Sequence, residues 1–268
     1  MPTEKATHSA PAASAPPFAP PQWTDSELRD PHHNAEKARK VRGMFAAIAG
    51  KYDLNNRVHS LWRDQAWRKY AVKAAAVKPG DSVLDVACGT GDLTEWFGAS
   101  PAKDVTGVDF TPQMLEVART KLTHRPHEIA AKINYAEGDA QALAIPTASK
   151  DVVSIAFGIR NVAEPAKAVA EFARVLKPGG RLVILEFGRP SFPPARWLND
   201  WYCGWLMPRT ATLISGDKSG AYKYLPKSVG TFMDRPALMQ LMVKVGFEQV
   251  TSRSLTLGIC ICYRGVRK

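Results

Sequence analysis

No apolar run in the sequence reaches the roughly 18–20 residues that a membrane-crossing helix requires. The first residues lack the compact apolar segment of a secretory signal, and they are poor in arginine and contain acids, which argues against a mitochondrial presequence. Cysteine is scarce. Cys88, Cys203, Cys260 and Cys262 form no C-x-x-C pair, and a chain of 268 residues is long enough to bury a core without disulfides. A reducing, cytoplasmic compartment is therefore expected. Cys260 and Cys262 would share one face of a strand and read as packing residues. His32/His33 and His124/His127 lack a matching cysteine or acidic cluster, so no metal site is expected. There is no internal repeat and no recognisable RNA-binding module, and nucleic acid is not an expected partner.

What is present begins with charge. The formal net charge is +11, and residues 1–33 carry −2 (Lys5 and Arg29 against Glu4, Asp25, Glu27 and Asp30), so of the +11 total the remaining chain holds +13. Such a body is attracted to anionic surfaces, nucleic acid or membrane, or is simply a soluble basic surface. Residues 1–33 also hold seven prolines and many alanines, a composition that buries no core and predicts a disordered tail. A single domain is expected over 34–268.

From Asn34 to Val77 the pattern is helical, with Val41, Met44, Phe45 and Ile48 on one face and a polar interruption at KYDLNNRVHS. SVLDVA, DVTGVDF, KINYAEGDA, DVVSIAFG and RLVILEFG read as strands alternating with the helices DLTEWFGA, TPQMLEVARTKL and EPAKAVAEFARVL. Thr111 is the expected N-cap of the second of these, with Pro112 at its first position, and KPGG stops the third. The alternation predicts an α/β, doubly wound, mostly parallel sheet. DRPALMQLMVKVGF then reads as a helix, and EQVTSRSL with GICICYRG as an antiparallel hairpin at the sheet edge. Residues 190–233 form an aromatic insertion.

The stretch VLDVACGTGD, Val83 to Asp92, carries the chemistry. In a doubly wound sheet, ligands lie beyond the carboxyl ends of the strands. Gly89 and Gly91 fall at the first strand-to-helix turn, where a missing Cβ lets a ligand touch the main chain. Asp109 ends the next strand, placed to accept from a ribose diol. A dinucleotide loop would carry a third glycine, but Gly89-Thr90-Gly91 runs on to Asp92, Leu93 and Thr94. Asp92 at the helix start is also a poor neighbour for a pyrophosphate, whereas Asp85 suits a cationic ammonium or sulfonium. The pattern thus favours S-adenosylmethionine over a nicotinamide dinucleotide. Asp139 and Ala140, after the third strand, are placed for the adenine edge; the alternative is that Asp139 merely caps the turn GDAQAL.

VLDVACGTGDLT, AFGIRNV, VLKPGGRLVILEF and AYKYLPKSV resemble the menaquinone/ubiquinone biosynthesis C-methyltransferases, class I S-adenosylmethionine-dependent enzymes, over about Met44 to Lys268. FGIRNV and AYKYLPKSV are the specific motifs, with KYDLNN and AWRK. The resemblance implies a polyprenylated quinol substrate, methylated on a ring carbon, and cofactor contacts at Thr90, Asp109, Asp139 and Ala140. The chain departs from the family at Asn55-Asn56, Trp62, Asp64-Gln65 and Ala156.

For catalysis, Arg160 and Asn161 are expected beside the methyl position, Arg160 stabilising a quinolate and Asn161 orienting the second oxygen. The alternative pairs Arg160 with a carboxylate such as Glu186. Water, Tyr52 or Asp53 are open as proton acceptors. The insertion, with Trp197, Trp201, Tyr202, Trp205 and Met207, suits a pocket cover, a peripheral contact with the inner face of the cell membrane, or ordinary packing. A homodimer is equally open. Competing classes are an RNA methyltransferase, a nicotinamide oxidoreductase and a non-catalytic S-adenosylmethionine-binding protein.

Overall fold

The computed structural model describes residues 23, 24, 26–216 and 220–268. Of the tail expected over residues 1–33, residues 1–22 and 25 lie outside them. Seven strands form one sheet in the order β3-β2-β1-β4-β5-β7-β6. They are β1 (Ser82–Val86), β2 (Asp104–Asp109), β3 (Ile133–Glu137), β4 (Lys150–Ala156), β5 (Leu176–Phe187), β6 (Phe247–Leu255) and β7 (Cys260–Arg267). The first five pair in parallel, and β7 runs antiparallel between β5 and β6. The sequence of apolar runs thus produces the predicted doubly wound sheet with its terminal hairpin.

Strand periodicity divides the core in two. Leu84, Val86 and Ile155 point to one face, packed against Phe172 and Val175, while Val83 and Val152 point to the other, packed against Trp67 and Phe97. Cys260 and Cys262 are buried in the second cluster, as packing residues. The chain order reverses between β1 and β4, and the crevice above their carboxyl ends is where such sheets bind ligands.

The helices that border this crevice are α1 (Lys37–Ile48), α2 (Tyr52–Ser60), α3 (Arg63–Ala75), α4 (Asp92–Gly98) and α5 (Pro112–Leu122). Thr111 occupies the expected cap position in an extended conformation, but its side chain makes no cap bond. A short α6 (His127–Ala130) precedes β3, and α7 (Pro165–Val175) joins β4 to β5. KPGG is not a turn between α7 and the next strand. It lies within β5 as an irregularity, since Lys150 pairs with Leu176 but Val152 with Arg181. The insertion forms α8 (Pro193–Trp201), a π-helical turn (Tyr202–Leu206), α9 (Met207–Ser215) and α10 (Ala221–Thr231), and α11 (Arg235–Val245) leads into the hairpin.

Two expectations change. KYDLNNRVHS is helix α2, because its polar side chains are consumed by ion pairs and hydrogen bonds rather than left in water. Packing also begins ahead of Asn34, against the domain boundary expected there. Trp23 and Leu28 are buried with Met44 and Tyr224, and the Trp23 ring stacks on Tyr224 at 4.7 Å. These two large apolar side chains tie the described residues ahead of Asn34 to the body.

Candidate active site

Beyond β1 the chain turns through Ala87 and Gly89 in the left-handed region (φ 50° and 56°). The two glycines of this turn serve different ends. A Cβ on Gly89 would stand in open space, so its bare face looks into the crevice. A Cβ on Gly91 would overlap the Tyr135 hydroxyl and ring, so Gly91 is required by packing and by its φ of 84°. The expected ligand contact at Gly91 is therefore corrected to a structural role, and only Gly89 of the pair lines the cavity.

Asp109 ties this turn to the next. Its Oδ2 accepts from the Gly89 N–H at 2.8 Å and its Oδ1 from the Thr111 N–H at 2.8 Å. Burial raises its pKa, and those backbone donors oppose the rise. Two accepted bonds leave lone pairs for a ligand hydroxyl.

The crevice has two connected chambers that share Tyr52, Ala87, Gly89 and Ala156. The larger, about 740 Å³, has Asp109, Asp139 and Ala140 on its polar side and Phe45, Phe110, Met114 and Phe157 as apolar walls. Apolar walls with a few convergent polar groups are the lining that small-molecule ligands use. The smaller, about 320 Å³, holds Asp85, Thr90, Asp92 and Arg68. Phe110, Met114 and Phe157 escaped the sequence reading, although two of them directly follow strands that it located. Asp139 lines the cleft, and its Oδ1 also accepts from the Gln141 N–H at 2.9 Å, as a turn cap does.

Asp85 shares the inward face of β1 with Val83. It accepts from Thr94 Oγ1 and Ser154 Oγ, each at 2.7 Å, and burial pushes its pKa up to about 6 against those donors. Its folded pKa thus exceeds the unfolded value, so the native state binds the extra proton between about pH 4 and 6, and stability falls as pH rises through that window. Asp85→Asn should consequently stabilise the protein by about 1–3 kcal/mol at pH 8 and by almost nothing below about pH 3, where both states are protonated. Thermal melts of both proteins at the two pH values measure this; equal midpoints at pH 8 would contradict it.

Asp92, at the start of α4, is not a bare negative charge. Arg57 Nη2 (2.8 Å) and Lys121 Nζ (2.6 Å) bind it. Burial raises its pKa, but the Arg68, Lys121 and Arg57 charges prevail and hold it well below the carboxylate range. Lys121 also binds Asp53 Oδ2 at 2.7 Å, Asp53 Oδ1 accepts from Thr90 Oγ1 at 2.6 Å, and Arg57 and Arg68 share Asp64. Asp64 stands at a departure from the family pattern, and here it completes this network. The network fastens α2, α3 and α5 onto the glycine turn. Both Asp53 oxygens are thereby engaged, one by Lys121 and one by Thr90. Removing Lys121 leaves two carboxylates facing each other, so Lys121→Ala should cost about 1–3 kcal/mol, the low end of a broken buried pair because the lysine is partly exposed. Urea denaturation reads the loss, and an unchanged midpoint would show the network to be dispensable.

Arg160 and Asn161 sit in a short 3-10 turn after β4 (Ile159–Asn161). That turn sends the guanidinium away from the cavity. Arg160 Nη1 donates to Glu186 Oε1 at 2.6 Å and to the Phe157 carbonyl at 2.7 Å, with both charged groups almost fully buried. The expected place beside a substrate oxygen is corrected to the alternative, an internal ion pair. Asn161 does line the large chamber, but it is held by donation to the Phe157 carbonyl (3.2 Å) and acceptance from Tyr224 Oη (3.0 Å). Tyr52 lines both chambers, and burial raises its pKa, so its hydroxyl stays protonated near neutrality. Among the described residues, no group of three or more His, Cys, Asp or Glu side chains is placed to hold a metal, and no helix is long and apolar enough to cross a membrane.

The strand order, the bare Gly89 face and the acid at the end of β2 define a class I methyltransferase with an S-adenosylmethionine crevice. The crevice fits that cofactor: it offers an open main chain, a carboxylate with free lone pairs, apolar walls and a buried anion in Asp85. The chain belongs to the ubiE/COQ5 methyltransferase family, whose model matches residues 33–267. It is 40% identical over 234 residues to the ubiquinone/menaquinone biosynthesis C-methyltransferase UbiE of Shewanella piezotolerans, covering 87% of this chain and 92% of that protein. The enzyme of the same name from Erwinia tasmaniensis is 39% identical over the same shares. In fold, a SAM-dependent methyltransferase from Thermotoga maritima is similar with a TM-score of 0.60 and 20% identity, over 85% of this chain and all of that one.

Proposed function

We propose that the protein transfers a methyl group from S-adenosylmethionine to a ring carbon of a polyprenylated quinol, demethylmenaquinol or its benzoquinol counterpart. The observation that carries the reading is the paired chamber above β1 and β4, with Gly89 bare at its centre and family membership around it. When bound, the cofactor supplies an electrophilic methyl on a cationic sulfur.

The chain's residues would do the rest. Asp109 accepts from the ribose hydroxyls with the lone pairs its backbone donors leave free, and Asp139 with Ala140 borders the adenine edge. Phe110 and Met114 flank the base. Asp85 and Thr90 border the smaller chamber, where a positive centre compensates the buried carboxylate. Phe45, Phe157 and Val162 exclude water from the acceptor ring in the larger chamber, which strengthens electrostatic effects there. Tyr52, at the junction of the two, keeps its phenolic proton and donates it as a hydrogen bond to a quinol oxygen, favouring the charged ring that attacks the methyl. Holding both partners in one water-poor crevice is worth up to about 7–11 kcal/mol of the barrier.

Labelled S-adenosylmethionine incubated with each reduced quinol tests the reading. Label should appear on a ring carbon of one of them, and transfer to oxygen or to neither quinol would refute it. An acceptor with an isoprenoid tail also resides in lipid, which favours a peripheral contact with the membrane.

A further inference from the structure

Helices α8 and α9, with the π-turn between them, carry large apolar side chains that the rest of the molecule does not cover. Trp197, Trp201, Trp205 and Leu213 are 72%, 45%, 50% and 85% exposed, and Phe192 and Leu198 lie beside them, also exposed. Neither α8 nor the π-turn has a buried residue. The spacing is regular, with positions 197, 201, 205, 209 and 213 each four apart. In a pure α-helix such a series drifts by about 40° per step. The wider π-turn at Tyr202–Leu206 offsets part of that drift and keeps the middle of the series, Trp201, Trp205 and Arg209, together. Trp201 and Trp205 stack at 5.9 Å, and the Arg209 guanidinium lies over the Trp205 ring at 4.8 Å. Met207 and Ala211, two residues out of phase, are the buried positions of α9 and hold it to the body.

The charge around the stripe has one sign. Between residues 189 and 216 the only acid is Asp200, and it is paired with Arg189 at 2.5 Å, leaving Arg196 and Arg209 uncompensated by any acid of this run. The turn between α2 and α3 adds to the same region. His59 is bonded to Thr210 of α9 (2.8 Å), and two residues later Leu61 and Trp62 stand 81% and 62% exposed, both with left-handed backbone.

We propose that this stripe, with the Leu61–Trp62 tip, is a docking face for an anionic bilayer. Tryptophan favours the headgroup level of a membrane, where its ring is buried and its N–H stays wet. Arginine beside it meets anionic lipid, and the chain's net charge of +11 adds long-range attraction. A protein partner would need acidic groups to match the arginines and a surface to match a straight row of tryptophans, whereas a bilayer offers both without shape. The face itself follows from exposure and charge; its use in collecting a lipid-borne acceptor rests on the quinol reading.

The test is co-sedimentation with vesicles of equal parts phosphatidylglycerol and phosphatidylcholine, against phosphatidylcholine alone. The native chain should partition at least about tenfold better onto the anionic vesicles, and W197S/W201S/W205S should lose about tenfold. A thermal melt confirms that the variant is folded, and W197S alone, altering one exposed ring, should lose a smaller but measurable share. Equal binding by native and triple variant overturns the proposal. So does a native dimer that the variant converts to monomer, since the face would then join two copies. Turnover of a short-tailed, water-soluble quinol should be unchanged in the variant, while turnover of a long-tailed quinol in vesicles falls about tenfold. If the native chain methylates neither quinol, the substrate reading fails and vesicle binding still judges the docking face.

Discussion

Arg160→Met lowers the stability of the protein by about 3–5 kcal/mol, which corresponds to roughly a 10 °C drop in melting temperature for a chain of this size. The substitution leaves the Glu186 carboxylate nearly without solvent, on the Phe187 N–H and the backbone N–H of residue 160. A buried carboxylate stripped of its cation is among the costliest defects in a folded chain. The Phe157 carbonyl keeps Asn161 Nδ2, so that loss is smaller. Converting both partners, Arg160→Met with Glu186→Leu, should recover much of the stability because no charge then stays buried. Cofactor affinity of the folded variant, measured by calorimetry at low temperature, should change little. A variant that melts like the native protein but turns over far more slowly would restore Arg160 to the substrate's side.

Gly89→Ala and Gly91→Ala should fail in opposite ways. At Gly89 the new methyl group meets no protein atom, so the fold bears only the left-handed backbone cost of about 1–2 kcal/mol. The methyl group instead occupies the face proposed for the cofactor, and affinity should fall by about 100-fold, near 2.7 kcal/mol, because a packed interface has no room for it. At Gly91 the Tyr135 ring blocks the methyl group and φ is 84°, so the loss is mainly of stability, about 3 kcal/mol or more. Tyr135→Leu should relieve part of it. Isothermal titration and denaturant melts on both variants separate the two outcomes; equal effects on binding and stability at both positions would erase the distinction.

Much of this could be read before any coordinates. β1, β2 and β4 are short apolar runs bounded by polar turns, and buried parallel strands have that appearance. Asp109 and Asp139 were found because strand ends in this topology converge on one crevice. The misreadings share a cause, which is that side-chain direction in turns is set by dihedral angles that a residue string does not display. Gly89 and Gly91 are two residues apart, yet one opens on the crevice and the other faces Tyr135. Arg160 and Asn161 are neighbours that share the Phe157 carbonyl, but one turn of 3-10 helix sends the first to Glu186 and the second to Tyr224. The polar α2 read as an interruption because its partners Asp92, Lys121, Thr90 and Thr210 lie 35 or more positions away in the chain and could not be inferred locally.

The stacking of Trp23 on Tyr224 reaches further than the two rings. Tyr224 donates to Asn161, whose amide is fixed to the Phe157 carbonyl, and both Asn161 and Phe157 line the larger chamber. The matched family region starts at residue 33, so this buttress enters from outside the shared domain. A shortened chain starting at Asn34 would keep all but the first residue of the matched region and still lose the ring that backs Tyr224 behind the larger chamber.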